Sequence, residues 1–319
     1  MTLPINFKLL ADKLKATQLT RLARLTGVNS SSKTKAAIAQ SLQSIVDASS
    51  RDHADRTQPV RIASIDVGLK NLAYCVIEHP NGGSTPLIRA WRRLDLSGKD
   101  GIEDKLNATR SFSNQDLARV AVNLIHNIIL EQSVLERPSH VLIEQQRWRS
   151  GGGPNVFQWT VRVNTFEAML WAVTTTFKQQ GIWNGQVHAV NPAQVAALWL
   201  ENQRQKGLSV QQKYRDLKFA KLRLLRDWTT EERLVSSGCA ESDVVFEALR
   251  DGSATDGKRR MKKGSETPEL AKLDDLADCL IQGVTWLQWL GNRRLLAEKG
   301  EEGVRELLDR ESAPRMHYR

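Results

Sequence analysis

The sequence predicts an α/β fold, a mixed five-stranded sheet flanked by helices and preceded by a small helix–extended–helix module. Three observations carry this. Apolar runs at 61–67, 71–78 and 87–93 are separated by turns too short for a crossover, so they read as an antiparallel meander. Two more short apolar runs, 140–146 and 186–192, alternate with long amphipathic stretches, as strands and helices do in a layered fold. Residues 6–46 carry leucines at 9, 10, 14, 19, 22 and 25 in helical spacing.

In the N-terminal module, Gly27 reads as the residue that closes one helix and Ser32 as the cap of the next. The polar, proline-ended "SSRDHADRTQP" (49–59) reads as a linker. These limits divide the chain into a module at 1–48, a linker at 49–59, a large domain at 60–295 and a tail at 296–319. Within the large domain, a helix is expected over 113–133, opened by Ser113 with Asp116 three residues on. Further helices are expected at 155–177, 193–203, 211–228 and 273–291.

The chain has 319 residues, a formal charge of +10 and 40% hydrophobic residues, enough for a sizeable core. No apolar run reaches the roughly 18 residues of a membrane helix, so no membrane partner is expected. The basic excess favours a polyanionic partner. Cys75, Cys239 and Cys279 form no C-x-x-C pair and the six histidines lack ligand spacing, which argues against a zinc site or a disulfide framework. Cys75 and Cys279 read as core thiols in a reducing compartment. The N-terminus lacks a secretory apolar segment, and no small-molecule cofactor is expected.

The informative residues are acidic. Asp66 interrupts the first apolar strand, and Glu144 follows "HVLI" near the end of the fourth. Asp274, Asp275 and Asp278 open an otherwise apolar helix, "KLDDLADCLIQGVTWLQWL". On that helix Asp278 shares a face with Asp275 at i, i+3 and with Asp274 at i, i+4. Each acid alone has an ordinary reading: a salt-bridged strand residue, or a carboxylate favoured at a helix N-terminus. Together, carboxylates on two buried strands and one helix imply a shared cation, because burying them unpaired is costly. Oxygen-only donors select a hard ion, Mg²⁺ or Mn²⁺, and two such ions suit phosphodiester hydrolysis. Gly68 lets the chain turn tightly beside Asp66.

The stretches "IASIDVGLKNLAYCVIE", "VLIEQQRWRSGG", "WTVRVNTFEAMLWAV" and "LDDLADCLIQGVTWLQW" resemble the fungal mitochondrial Holliday-junction resolvases, in the RuvC-like branch of the RNase H-like nucleases. "LTRLARLTGVNSSSKTKAAIAQSLQ" resembles a SAP-type DNA-binding motif. The resemblance runs from Leu9 to about Asn292. It implies an RNase H-like fold, a mitochondrial homodimer, and paired symmetric nicks in a four-way DNA junction with two metal ions per active site. It also implies 5′-phosphate and 3′-hydroxyl ends and a thymine-containing cleavage context. Asp66 and Glu144 match the strand acids, and Asp275 and Asp278 the helical pair. Asp274 competes with Asp275 for the place beside Asp278.

Candidate DNA contacts surround these acids. Gln145, Gln146, Arg147, Arg149, Gly151, Gly152, Asn155 and Phe157 follow Glu144, where arginines can pair with phosphates and a helix N-terminus begins. Phe157 reads equally as core. Lys70 and Arg162 join this set, as do Lys213, Lys218 and Lys221 on a basic amphipathic helix. Lys258, Arg259, Arg260, Lys262 and Lys263 form a polar basic run, and Lys272 precedes the acidic helix. Lys33 and Lys35 are the expected duplex contacts of the N-terminal module. Trp159, Trp171, Trp199, Trp286 and Trp289 read as packing residues, with Met169, Trp171, Trp286 and Trp289 as candidates for a dimer seam. Competing readings are a non-catalytic DNA-binding protein, a nuclease for another branched substrate, and an actin- or Hsp70-like ATPase. The last lacks a second phosphate loop with its own acid.

Overall fold

The structure, a computed structural model, describes residues 5–30, 32–51, 58–80, 84–96, 113–147, 157–200, 210–231, 234–250 and 273–310. One six-stranded sheet organises it, in the order β5-β4-β1-β2-β3-β6. The strands are β1 (Val60–Asp66), β2 (Leu72–His79), β3 (Leu87–Leu94), β4 (His140–Glu144), β5 (Gln186–Val190) and β6 (Ser236–Ser237). β1, β2 and β3 form the expected antiparallel meander, and β4 and β5 add parallel on the β1 side. β6 pairs parallel with β3. It makes a sixth strand where five were expected, because two residues are too short to show period-2 alternation.

Helices cover both faces. On one face lie α4 (Asn114–Ile125), which continues into a π-helical turn at His126–Leu130, and α5 (Gln158–Gln179). Ser113 caps α4 as expected, its Oγ accepting the Asp116 N–H at 3.2 Å. Leu117, Ala121, Phe166 and Leu170 pack there on Ala63, Ile65, Val141 and Ile143. The other face carries α6 (Pro192–Leu200), α7 (Val210–Glu231), α8 (Ala240–Arg250) and α9 (Leu273–Lys299), over Ile62, Ala73, Cys75, Ile77 and Leu142. Odd and even strand residues thus face opposite layers.

α9 is pinned to the sheet along its length. Trp91 Nε1 donates to the Leu276 carbonyl at 3.0 Å, and Gln282 Nε2 to Ser64 Oγ at 3.0 Å. A Cβ on Gly283 would lie 2.6 Å from Ile77 Cδ1, so the small residue permits the close approach. Cys75 and Cys279 are buried, as expected, with Cys75 Sγ 3.2 Å from the Cys279 carbonyl.

The N-terminal module has three helices rather than two, α1 (Phe7–Lys13), α2 (Ala16–Thr26) and α3 (Lys35–Arg51). Leu14, in extended conformation, interrupts the leucine pattern. Thr34, not Ser32, caps α3, because its Oγ1 accepts the Ala37 N–H at 3.3 Å. Gly27 closes α2 as expected, with φ +66° and the Val28 N–H on the Ala23 carbonyl at 2.8 Å.

This module is built onto α9. The last carbonyls of α2 each receive one α9 side chain: Arg24 from Trp289 Nε1 at 3.0 Å, Leu25 from Asn292 Nδ2 at 2.6 Å, and Thr26 from Arg293 Nε at 2.7 Å. Residues expected as a tail from 296 instead complete α9 and form α10 (Glu301–Asp309). Leu296, Val304 and Leu307 pack with Phe7, Leu19, Leu22 and Leu42 in one core. Residues 311–319 lie outside the described set.

A Cβ on Gly27 would sit 2.2 Å from the Trp289 ring, whereas one on Gly181, also at positive φ, meets nothing within 4 Å. Gly181→Ala is therefore expected to cost about 1 kcal/mol, the left-handed strain alone. Gly27→Ala is expected to cost at least about 2 kcal/mol more, since Trp289 must also move. Urea unfolding of the two variants measures the gap.

His188 stacks on Trp286 with ring centroids 4.3 Å apart, and its Nε2 lies 3.2 Å from His140 Nδ1. Burial, then His140 and the buried Arg293, push its pKa down to about 3. The unfolded chain binds that proton near pH 6.5, the folded one near 3. Stability from this group is thus full above about pH 6.5 and is lost as pH falls toward 3, by up to about 1.4 kcal/mol per unit. His188→Gln should flatten the pH dependence of the unfolding midpoint between pH 6.5 and 4.5.

Candidate active site

The parallel register Ile65↔Ile143 places Asp66 beside Glu144, at the C-terminal ends of neighbouring strands. Period 2 turns both toward the α9 layer, with Ile62, Ser64 and Leu142. The first turns of α9 bring in the helical acids. Four carboxylates therefore meet where the sheet ends and α9 begins.

Their electrostatics show the meeting. Burial, then the charges of Glu144 and Asp278, hold the Asp66 carboxyl well above the ordinary range, with Asp275 adding to the effect. Burial and then Asp278 push Glu144 up to about 7, against the pull of Lys221 and Arg147. Asp66 and Glu144 face each other at the strand ends and titrate together, as crowded carboxyl pairs do. Burial also raises Asp278, opposed by Lys221.

The Asp274 ambiguity acquires a geometry. Asp66 feels Asp275 and Asp278, while Asp274 Oδ2 pairs with Lys218 Nζ at 2.8 Å, toward α7. Asp278 pairs with Lys221, one helical turn along α7. Asp274 and Asp278 thus both pair with lysines of α7, while Asp275 and Asp278 are the helical acids whose charges act on Asp66.

The donor chemistry fits a hard divalent cation. All five acids offer oxygen alone, and Asp274 Oδ1 is buried without a hydrogen-bond donor among the described residues. Among the described residues, no three His, Cys, Asp or Glu side chains are gathered tightly enough to hold an ion as they stand. The lysines of α7 take up part of the carboxylate charge instead.

Gly68 shapes the adjoining turn, since a Cβ there would lie 2.8 Å from the Asn71 carbonyl. Lys70 is exposed beyond it, with Nζ 5.8 Å over the Trp159 ring. Past Glu144, the Gln145 N–H donates to the Val190 carbonyl at 2.9 Å and the Gln146 N–H to Glu167 Oε2 at 3.1 Å. Glu167, which sequence reasoning missed, ties the exit of β4 to α5. Arg147 is exposed next to Glu144, and Arg162 is half-buried on α5.

Phe157 is 68% exposed, which removes its core reading, and Trp159 is 42% exposed, against its expected packing role. Trp286 and Trp289 are buried inside the chain, so they form core rather than a seam. Trp171 packs beside the α5 core residues, and Trp199 Nε1 donates to Thr285 Oγ1 at 2.7 Å. Lys33 is exposed and Lys35 half-buried on the N-terminal module. Trp289, which holds that module, lies eleven residues beyond Asp278 on α9, about 16 Å along the helix axis. Arg149, Gly151, Gly152, Asn155, Lys258, Arg259, Arg260, Lys262, Lys263 and Lys272 lie outside the described residues, and the side chain of Lys213 does too.

Residues 62–296 match the family model described as mitochondrial resolvase Ydc2 / RNA splicing MRS1. A curated relative, the mitochondrial cruciform cutting endonuclease 1 of Schizosaccharomyces pombe, is 24% identical over 233 residues, which is 72% of this chain and 78% of that protein. The crystal structure of the yeast mitochondrial Holliday junction resolvase Ydc2 superposes with a TM-score of 0.59 at 21% identity, covering 90% of this chain and 98% of that one. The chain belongs to the mitochondrial resolvase Ydc2 / RNA splicing MRS1 family.

Proposed function

We propose that this protein is a divalent-metal-dependent endonuclease that resolves four-way DNA junctions by paired nicks, as a homodimer in mitochondria. The observation that carries the reading is the convergence of Asp66, Glu144, Asp275 and Asp278 from two strands and a helix. The family and the junction-cutting relative support the substrate, and that relative's mitochondrial name supports the location. Two-fold symmetry of enzyme and junction accounts for paired symmetric cuts. Of the aromatic and methionine residues expected at a dimer seam, Met169 and Trp171, half-buried on α5, remain available for it.

In this reading Asp66, Glu144, Asp275 and Asp278 hold two Mg²⁺ or Mn²⁺ ions, with Asp274 as an outer carboxylate. When bound, such ions polarise the scissile phosphodiester and ease deprotonation of water, which suits products with 5′-phosphate and 3′-hydroxyl ends. The chain's own part is positioning. Lys70 and Arg147 flank the acids and neutralise phosphates, while Gln145 and Gln146 hold the exit of β4 in place through their backbone bonds. Phe157 and Trp159 offer exposed aromatic faces to bases unstacked at the crossover. Lys33 and Lys35 contact a duplex arm, held at a fixed distance by the seat of the module on α9.

The family description also names RNA splicing, which gives a second reading in which the same surface binds RNA without cutting. A gel with Mg²⁺ and four-way, three-way and linear DNA separates them. Symmetric nicks confined to the four-way substrate are expected. Tight RNA binding with no nicking of any DNA would favour the second reading.

Asp66→Asn and Glu144→Gln are each expected to lower cleavage by more than about 100-fold while leaving junction affinity within a few-fold. Full cutting by either variant would remove the acid assignment. Trp159→Ala is expected to weaken junction binding by about 1–3 kcal/mol with little change in melting temperature. A loss of stability without a loss of binding would return Trp159 to packing.

A further inference from the structure

Lys218 and Lys221 stand one turn apart on α7, opposite Asp274 and Asp278, one turn apart on α9. The two helices face each other through a pair of ionic rungs. The lysine side chains are 42% and 22% exposed, so each ammonium reaches solvent by rotating its stem. Such partly exposed pairs are weak enough to open. A carboxylate that accepts a divalent cation also cannot keep an ammonium a few ångströms from that cation without strong repulsion.

We propose that Lys218 and Lys221 form a counter-ion latch: they hold Asp274 and Asp278 in the ion-free protein, and cation and DNA phosphate release them together. The inference rests on the metal-dependent nuclease reading and adds a coupling to it. A phosphate that captures the lysines strips the acids of compensation and raises the gain from binding a cation. A cation that captures the acids frees two ammonium groups for phosphate. By linkage the two effects are equal in size. The latch offsets part of the carboxylate charge until the substrate arrives and ties metal loading to junction binding.

The first test needs no metal. Labelled four-way DNA is titrated in EDTA against the full chain and three variants: D274N/D278N, K218Q/K221Q, and all four substitutions together. With a latch, D274N/D278N binds about five- to tenfold tighter than the parent, because two lysines are freed. K218Q/K221Q changes binding little, and the fourfold variant loses the gain. An additive cycle, in which the lysine change costs the same with and without the acids, overturns the proposal. If a double variant fails to fold, the single rung D278N with K221Q gives the same sign.

The second test is Mn²⁺ binding without DNA, read from the loss of the free-ion paramagnetic signal. K218Q/K221Q should bind Mn²⁺ several-fold tighter than R223Q/R226Q, which removes equal charge from exposed positions of the same helix. Equal affinities in the two variants overturn the latch. A parent protein without any Mn²⁺ site that D278N abolishes would overturn the metal reading itself, and the EDTA cycle would still report on the lysines.

Discussion

The rest of the structure depends on how like charges are accommodated at the C-terminal ends of β1 and β4. Asp66 and Glu144 are side by side by register, and α9 adds Asp275 and Asp278 from above. Three things make this tolerable. Asp66 and Glu144 are held above the ordinary carboxylate range, the helical acids sit where the α9 dipole favours negative charge, and α7 supplies two ammonium groups. The arrangement would still push α9 off the sheet if packing did not hold it. Trp91, Gln282 and the close approach at Gly283 fix its position within a few residues of the acids.

The same helix explains the seating of the N-terminal module. α9 begins with the acids and ends by capping α2 through Trp289, Asn292 and Arg293. Arg293 is fully buried and its guanidinium lies 4.9 Å over the Trp286 ring, with burial pulling its pKa down to about 10. A buried cation this costly is held by a carbonyl at a helix terminus and an aromatic face, both of which favour positive charge. The module is therefore part of the fold rather than a tethered accessory. A helix cannot bend freely over 27 residues, so α9 sets the spacing between the acids and the end of α2 that it caps.

The meander, the two added strands and the long helices were legible because each carries a full period of apolar residues. Asp66 and Glu144 were legible for the converse reason, since a carboxylate inside an apolar run has few ordinary explanations. What escaped was short or non-local. β6 has two residues, and α10 reads as a tail until Val304 and Leu307 meet the leucines of α2 and α3. The link at 49–59 announced a separate module because nothing in "WLQWLGNRR" says that its polar atoms cap a helix more than 250 residues upstream. Trp159 matched a helical apolar pattern, but that pattern does not reveal which turn of α5 is left uncovered. Nothing in the local sequence shows that Asp274 and Asp278 meet Lys218 and Lys221 of α7.

Charge counting gives the ionic rungs a physical sense. Ionised, the five carboxylates facing two lysines carry a formal charge of −3, and the raised pKa values of Asp66 and Glu144 reduce its size. With both lysines turned away, the same acids carry −5 when ionised, which two divalent ions nearly balance. In the latch proposed above, a two-ion site gains when the lysines have another anion to go to, and the phosphates of a bound junction would be that anion. That coupling would make a fully loaded centre a property of the DNA complex rather than of the free protein.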